Sequence, residues 1–315
     1  MKSVKSKFDD NYAEYASAVV GYIESSHLLR QWPDCREVLI AMLSEEEPWL
    51  LALPIVSCRA VGGVTTEAIP VAATWAALHS AAVILDTVQD NEDVLRVGLD
   101  DTASALSIAV GQIFLAFSFV NDVKNNKVFT RTAKMFPELC FFASEGQYLG
   151  LAQNYYDHEI DDAMELYWRQ VILKSGNTIR AATTGGAVVG TNSEPLITAL
   201  GDYGTYLGAI LQILDDCSDV LTSSNGLFEI SLPFLLRSLA ASDDQMTELR
   251  NLTTYGTSSR DLLGMLDGYD VPGKIADILM ELQRRALKSL ELLDESDAKL
   301  ALENIAKSVL ETSEE

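Results

Sequence analysis

Two short segments of the chain carry aspartates at the spacing of one helical turn. Asp86 and Asp90 are four residues apart, as are Asp215 and Asp219, and Asp93 extends the first series by three residues. Residues at this spacing share one helical face, where like charges repel by roughly 0.2–0.5 kcal/mol. Bound cations would remove that repulsion, and Mg²⁺ typically takes one or two carboxylates together with phosphate and water oxygens. The spacing therefore predicts two carboxylate sites for divalent cations, the alternative being two solvated helix ends in an acidic protein.

The helices that hold these aspartates are predicted to be apolar and buried. The uncharged runs Ala81–Leu85 and Ile210–Leu214 lead directly into the two series. Elsewhere apolar residues recur at helical rather than alternating spacing among good helix formers, and no linker or internal repeat interrupts the sequence. We therefore expect one all-α domain over residues 1–315, in which 25–47 is weakly defined. The predicted helices run at roughly 8–24, 49–61, 66–92, 101–122, 130–154, 160–190, 195–222, 272–293 and 296–312.

The charge balance excludes several classes of partner. The 23 Lys and Arg residues face 46 Asp and Glu residues, which gives a formal net charge of −23. Nucleic acids and anionic membrane surfaces both require basic patches, so neither is an expected partner. The longest uncharged stretches, Ala68–Leu85 and Thr102–Asn121, contain polar residues, and we expect buried helices there rather than membrane spans. The four cysteines form no metal-ligand pair, and the first residues contain no apolar signal segment, which predicts a cytoplasmic location.

The two aspartate series, in their sequence context, resemble the two aspartate-rich motifs of the trans-isoprenyl diphosphate synthase family, within the class I terpenoid-synthase superfamily. The first reads His79-Ser-Ala-Ala-Val-Ile-Leu-Asp-Thr-Val-Gln-Asp90, and the second reads Leu211-Gln-Ile-Leu-Asp-Asp-Cys-Ser-Asp219. Between them, Glu145-Gly-Gln147 is similar to a Gly-Gln element of the family, and Lys174-Ser-Gly176 is similar to its Lys-Thr element. The resemblance covers residues 48 to 240 and implies an isoprenoid-synthase helical bundle around a central prenyl-binding cavity.

The resemblance also implies which carboxylates act in catalysis. They are Asp86, Asp90, Asp215, Asp216 and Asp219. All of these except Asp216 would be ligands of two or three Mg²⁺ ions. The ions would stabilise the pyrophosphate that leaves an allylic prenyl diphosphate.

Six other residues are implied as substrate contacts. Arg96 and Lys174 would hold the diphosphate, Gln147 and Gln212 would support it, and Ala81 and Ala82 would face the tunnel for the prenyl tail. Because both alanines are small, we expect room for a C15 or C20 tail. We expect His79 to be a buried, hydrogen-bonded histidine. The family usually dimerises, so a homodimer is expected.

Several departures from the family pattern concern the substrates. Thr87 replaces the second aspartate of the first motif, which would remove or weaken one metal ligand. The basic element that binds isopentenyl diphosphate in the family would fall near Glu45–Leu51, where three glutamates stand in succession. The family's Arg-Arg pair is here Arg96-Val97, and the segment Leu221–Pro233, which normally supplies lysines, contains none. A diphosphate needs several charge-assisted contacts, so these losses affect the isopentenyl diphosphate site most.

The departures favour a terpene synthase, a cyclase or lyase on a prenyl-synthase scaffold without a working isopentenyl diphosphate site. One alternative is a prenyltransferase, either a prenyl diphosphate synthase such as a geranylgeranyl-type enzyme or one with a different acceptor. Another alternative is a non-catalytic regulatory subunit that keeps the fold.

Overall fold

In a computed structural model the chain is helical, and the structure describes residues 9–152, 160–222, 231–239 and 270–311. Those residues contain no strand, so the all-α prediction is confirmed. The helices are α1 Asp9–Glu24, α2 His27–Gln31, α3 Pro33–Glu45, α4 Pro48–Ala60, α5 Thr65–Gln89, α6 Thr102–Val120, α7 Asn126–Ala152, α8 Ile160–Val171, α9 Asn177–Gly190, α10 Glu194–Thr222, α11 Leu232–Leu239, α12 Val271–Ser289 and α13 Asp297–Glu311. Short 3₁₀-helices lie at Val94–Val97 and Leu290–Leu292, and a π-helical turn, Ile172–Gly176, separates α8 from α9.

The chain forms two compact units, each built from three separate stretches of sequence. The first comprises residues 1–139, 180–204 and 289–305, and the second comprises 140–179, 205–288 and 306–315. The boundaries between the units fall within helices. The assignment of a single domain over residues 1–315 stays a prediction.

In the first unit, the apolar helix α4 supplies much of the core. Every residue from Leu50 to Cys58 is buried, and α4 packs against both α1 and α5. Helix α5, rich in alanine, packs along α6. Burial at roughly 25 cal/mol per Å² of apolar surface makes such helices the main source of stability in the unit.

Close backbone contact between α4 and α9 depends on glycine. A Cβ atom at Gly186 would lie 1.9 Å from the carbonyl oxygen of Pro54, and one at Gly190 would lie 2.5 Å from the carbonyl oxygen of Cys58. Pro54 lies inside α4, where its ring removes one helical hydrogen bond. The two glycines, one helical turn apart, allow the α9 backbone to lie directly against α4.

Among the residues that the structure describes, two helical segments are long and apolar enough to cross a membrane when judged by length and composition alone. They are Thr65–Gln89 and Val94–Val120, whose most apolar windows are 61% and 44% buried within the protein. Buried core helices satisfy the same criterion, and α5 packs against α4 and α6 in the first unit.

Candidate active site

The first aspartate motif lies at the C-terminal end of α5. Asp86 is half-buried in the last turn, and Asp90 forms the C-cap of the helix. The helical face does not extend to Asp93, because Asn91 adopts the left-handed conformation with φ 55°. Asp93 instead caps the following 3₁₀-helix, its carboxylate accepting a hydrogen bond from the Leu95 N–H at 3.0 Å. Asp93 therefore has a structural role in this unit, and the pair on α5 consists of Asp86 and Asp90.

The second position of the first motif faces the core of its unit. Thr87 is 2% exposed, and its hydroxyl donates a hydrogen bond to the Val83 carbonyl oxygen at 2.9 Å. Residues one apart on a helix are about 100° apart around the axis, so position 87 diverges from the direction of Asp86. Thr87 therefore faces the interior of the first unit and not the direction of Asp86, and the expected effect of Thr87 on the metal site stays a prediction.

The accessible face of α5, which carries His79, Ala82 and Asp86, continues upstream of the first motif. Ala82, one turn before it, is exposed, whereas Ala81 is buried in the core of the first unit. Of the two alanines predicted to line the tunnel, the structure brings only Ala82 onto the face that carries Asp86. His79, one further turn upstream, is half-buried on this face.

His79 is held by two neighbours, as expected for a hydrogen-bonded histidine. Its Nε2 atom lies 3.1 Å from Oε1 of Glu46, and its ring stacks on that of Trp75 with centroids 4.9 Å apart. Glu46 is the middle glutamate of the three at the end of α3. A carboxylate thus stands beside this face, where a diphosphate would be repelled.

Arg96, predicted to hold the diphosphate, forms a surface ion pair in this structure. It lies on the 3₁₀-helix after α5, its guanidinium contacts the carboxylate of Glu92, and its side chain is more than half exposed. Exposed ion pairs of this kind are weak, so a diphosphate could compete for Arg96.

The second aspartate motif divides its carboxylates between solvent and core. Asp215 and Asp219 are exposed on one face of α10, whereas Asp216 is 7% exposed. Oδ2 of Asp216 accepts hydrogen bonds from the Tyr167 hydroxyl at 2.6 Å and from the Leu232 N–H at 3.0 Å. The Leu232 N–H is the first of α11, so Asp216 caps that helix from another element.

The environment of Asp216 shifts its ionisation. Burial raises the pKa of the Asp216 carboxyl to about 6, and the nearby charge of Asp215 adds to this rise. The hydrogen bonds from Tyr167, Leu232 and Gln212 act in the opposite direction and lower the pKa, because they stabilise the carboxylate. Asp216 is therefore occupied by protein donors, whereas Asp215 and Asp219 are exposed, and their role as metal ligands stays a prediction.

Lys174 lies in the π-helical turn between α8 and α9 and is half-buried. Such turns are rare and occur frequently at functional sites. A Cβ atom at Gly146 would lie 2.4 Å from the Lys174 backbone nitrogen, and one at Gly208 would lie 2.3 Å from the Ser175 carbonyl oxygen. The predicted Gly-Gln and Lys-Thr elements therefore do meet in the second unit, through glycine contacts.

Gln212 acts as a link between the second motif and this turn. Its Nε2 atom donates to Oδ1 of Asp216 at 3.0 Å, and its Oε1 atom accepts from the Ser175 hydroxyl at 2.5 Å. Gln147 is half-buried on α7, next to Gly146. The lysine-free segment Leu221–Pro233 lies largely outside the described residues.

Two contacts in this arrangement were not predicted, that of Tyr167 with Asp216 and that of Ser175 with Gln212. Tyr167 is 49 residues from Asp216 in the sequence, and nothing in the local pattern connects them. A buried tyrosine generally requires a partner for its hydroxyl, which is the only general signal available. Ser175 lies next to Lys174 in the Lys-Ser-Gly element, so its position was predicted but its contact was not.

The donor chemistry of the two motifs fits Mg²⁺. Within the part of the chain that the structure describes, no group of three His, Cys, Asp or Glu side chains forms a ready metal cage. Mg²⁺ does not need one, since it retains waters and takes one or two carboxylates plus phosphate oxygens from its substrate. The carboxylate pairs Asp86 with Asp90 and Asp215 with Asp219 have the oxygen donors for such partial coordination, and their role as metal ligands stays a prediction.

Comparison with known proteins identifies the chain. The polyprenyl synthetase family model matches residues 51–228, which is more than half of the sequence and includes both aspartate motifs. The chain belongs to the polyprenyl synthetase family. This confirms the resemblance to the trans-isoprenyl diphosphate synthases and the role in isoprenoid biosynthesis that it implied.

The curated relatives of this polyprenyl synthetase family member include archaeal and bacterial enzymes. The short chain isoprenyl diphosphate synthase of Methanothermobacter thermautotrophicus is 26% identical over 280 residues, which cover 82% of this chain and 84% of the relative. The octaprenyl diphosphate synthase of Haemophilus influenzae is 25% identical over 273 residues, which cover 81% of this chain and 80% of the relative.

Solved structures share its fold. A decaprenyl diphosphate synthase from Rhodobacter capsulatus superposes with a TM-score of 0.85 at 20% identity, covering 98% of this chain and 99% of that one. A polyprenyl synthase from Caulobacter crescentus, complexed with calcium and isoprenyl diphosphate, gives a TM-score of 0.81 at 19% identity and covers 98% of each chain. These likenesses establish the isoprenoid-synthase fold.

The comparisons bear on the function predicted from the sequence. The relatives named above are prenyl diphosphate synthases, which supports the prenyltransferase alternative. The main interpretation, a terpene synthase, receives no support from them.

Proposed function

We propose that this polyprenyl synthetase family member is a Mg²⁺-dependent prenyl diphosphate synthase in the cytoplasm. It ionises an allylic prenyl diphosphate with release of pyrophosphate and joins the allylic carbon to isopentenyl diphosphate, which then loses a proton. The observation that carries the proposal is the extent of the family match. Residues 51–228 enclose both aspartate motifs, and each motif has carboxylates one turn apart at the end of a helix. The relatives that support it are named as prenyl diphosphate synthases.

In this proposal the carboxylates Asp86, Asp90, Asp215 and Asp219 hold two or three Mg²⁺ ions. When bound, the ions supply positive charge to the oxygens of the departing pyrophosphate. Lys174, on its rigid π-helical turn, adds a further cation to the diphosphate, and Arg96 exchanges Glu92 for a phosphate oxygen. A charge that is already in place before the reaction, as proposed for Lys174, stabilises the leaving group without reorganisation.

The accessible face of α5 supports a prenyl-tail site that begins beside Asp86. Ala82 leaves this face unobstructed one turn upstream. A small side chain there accommodates a C15 or C20 allylic substrate, and we propose that length range.

We also propose a homodimer formed through α6. Leu106, Val110 and Phe114 are exposed in the first unit at successive helical turns, and the side chain of Phe114 is 69% exposed. A continuous apolar stripe of this kind is typical of an interaction surface. A second copy of the same chain would cover it symmetrically.

One observation favours a second candidate function, allylic diphosphate chemistry without isopentenyl diphosphate. The position of the family's basic element is taken by glutamates, and Glu46 lies 3.1 Å from His79 beside the accessible face of α5. A carboxylate there disfavours a second diphosphate. Under this candidate the allylic cation cyclises, loses a proton or reacts with a different acceptor.

A product assay separates the two candidates. Purified protein with Mg²⁺ is given C10, C15 and C20 allylic diphosphates, each with and without isopentenyl diphosphate, and products are identified by mass spectrometry with and without phosphatase treatment. Longer prenyl diphosphates that require isopentenyl diphosphate would support the synthase. Hydrocarbons or alcohols formed equally well without it, above an EDTA control, would replace the synthase with the second candidate. Activity that appears only with a second purified subunit would favour a regulatory role.

A further inference from the structure

A continuous chain of hydrogen bonds runs through the second unit and ends on one carboxylate. The Ser175 hydroxyl donates to Oε1 of Gln212, whose Nε2 atom donates to Oδ1 of Asp216. The other carboxylate oxygen of Asp216 accepts from the Tyr167 hydroxyl and from the Leu232 N–H. The hydrogen bonds of this series therefore all lead to Asp216, whose carboxylate accepts three of them and is 7% exposed.

The chain joins the two parts of the site that lie in this unit. One end is α10, where Asp215 and Asp219 are exposed and Asp216, which lies between them in the sequence, is buried. The other end is the π-helical turn, where Ser175 directly follows Lys174. Rotation of α10 would move both exposed carboxylates and would break the bonds to Asp216 at the same time.

Packing limits the movement of the same turn. Its backbone lies so close to α7 and α10 that a Cβ atom at Gly146 or Gly208 would lie 2.4 Å or 2.3 Å from backbone atoms of Lys174 or Ser175. Tyr167, which donates to Asp216 from α8, is 1% exposed, so close packing limits how far it can follow a displaced carboxylate. Contacts with α7 and α10 thus fix the position of the π-helical turn relative to the second motif.

We propose that Asp216 is a positioning residue and not a metal ligand. Through Gln212 and Ser175, it sets the position of Lys174 relative to Asp215 and Asp219, so that the lysine and the metal-binding carboxylates engage one pyrophosphate group together. This inference rests on the proposed function, because it concerns how the same diphosphate is bound.

The test measures binding of inorganic pyrophosphate to the full chain in the presence of Mg²⁺ by titration calorimetry, alongside the melting temperature. Tyr167→Phe removes one bond to Asp216, and Ser175→Ala removes the last link before Lys174. Their matched controls are Tyr203→Phe, which deletes a buried hydroxyl bonded to the Leu302 carbonyl oxygen, and Ser118→Ala, which deletes a half-buried hydroxyl bonded to the Leu115 carbonyl oxygen.

The inference predicts that Tyr167→Phe and Ser175→Ala each weaken pyrophosphate binding by about tenfold, the size expected when the charge-assisted contact between Lys174 and pyrophosphate is weakened. Their controls lower the melting temperature without changing pyrophosphate affinity. If Tyr167→Phe and Ser175→Ala behave like their controls, the melting temperature changes but the pyrophosphate affinity stays within about twofold. The hydrogen bonds to Asp216 are then only structural, and the inference is overturned. If the wild-type chain binds no pyrophosphate with Mg²⁺, the proposed function itself fails, and the inference fails with it.

Discussion

The hydroxyl of Tyr167 lies 2.6 Å from Oδ2 of Asp216. This contact holds the second carboxylate of the second motif in the protein interior. The same position in the first motif is Thr87, which is also buried and bonds to its own helix. The second residue of each motif is therefore a core residue in this chain. Threonine suits such a position, because its hydroxyl bonds to the Val83 carbonyl oxygen of the same helix.

Ionisation of Asp216 should make the stability of the metal-free protein depend on pH. Burial raises its pKa from 3.8 to about 6 in the folded chain. A raised carboxyl pKa contributes stability that is fully present below the unfolded pKa and is lost as the pH rises through about 6. From pH 7.5 to pH 5 in EDTA, the wild type should gain roughly 1–2 kcal/mol in free energy of unfolding relative to Asp216→Asn. Urea unfolding at the two pH values measures this, and parallel changes in both proteins would contradict it.

The accessible aspartates should dominate activity. Asp86→Asn and Asp215→Asn should each lower kcat/KM with an allylic diphosphate on the order of 100-fold, because each removes charge that holds Mg²⁺ against the leaving group. Asp93→Asn is the matched control, since asparagine caps helices as well as aspartate does and Asp93 caps a 3₁₀-helix. A steady-state assay should find this control within about threefold of wild type. An equal loss in all three would mean that the motif extends past the end of α5.

An aspartate at position 87 should harm the fold and not improve the metal site. Thr87→Asp places a carboxylate where the side chain is 2% exposed, and should lower the free energy of unfolding by roughly 1–3 kcal/mol or more. Thr87→Val keeps the shape and loses only the bond to Val83, so it should cost about 1 kcal/mol or less. The Mg²⁺ concentration for half-maximal activity should not fall in Thr87→Asp. A lower Mg²⁺ requirement would show that position 87 does reach the metal.

Two glycine substitutions should shift stability in opposite directions. Gly186→Ala would place a Cβ atom 1.9 Å from the Pro54 carbonyl oxygen and should destabilise the protein by roughly 1–3 kcal/mol. Gly21→Ala, within α1, would meet no atom within 4 Å and should stabilise it by about 0.5–1 kcal/mol through helix propensity. In thermal unfolding, the melting temperature of Gly186→Ala should therefore lie below that of the wild type and that of Gly21→Ala above it. Loss of stability in both would mean that the gap beside Gly21 is filled in solution.

The apolar stripe on α6 should control the oligomeric state. Val110→Glu with Phe114→Lys should convert the homodimer to a monomer, as measured by light scattering coupled to size-exclusion chromatography. Met280→Glu on α12, where the methionine is 55% exposed, is the control and should stay dimeric. A wild-type protein that is monomeric at micromolar concentration would rule out the dimer proposal.

The positions of most helices could be predicted from the sequence alone. The 3.6-residue period, the prolines at helix starts and the polar caps are local signals, and the observed ranges of α1, α4 and α6 lie within two residues of the predicted ones. The region 25–47 was weakly defined because α2 has only five residues and begins at a single cap, Ser26, whose hydroxyl accepts from the Leu28 N–H. The two carboxylate pairs could also be predicted, because side chains four residues apart on a helix are neighbours in any tertiary context.

Only the tertiary structure decided which of these side chains serve the site. Asp215 and Asp216 are adjacent in sequence, and the packing of α8 and α11 around α10 determines that the second one is buried. The end of α5 at Asp90 and the π-helical turn at Lys174 depend on backbone conformations that composition does not specify. Periodicity determines the faces of a helix, but the neighbours that cover one face come from distant parts of the chain, and their long-range contacts leave no local signal in the sequence.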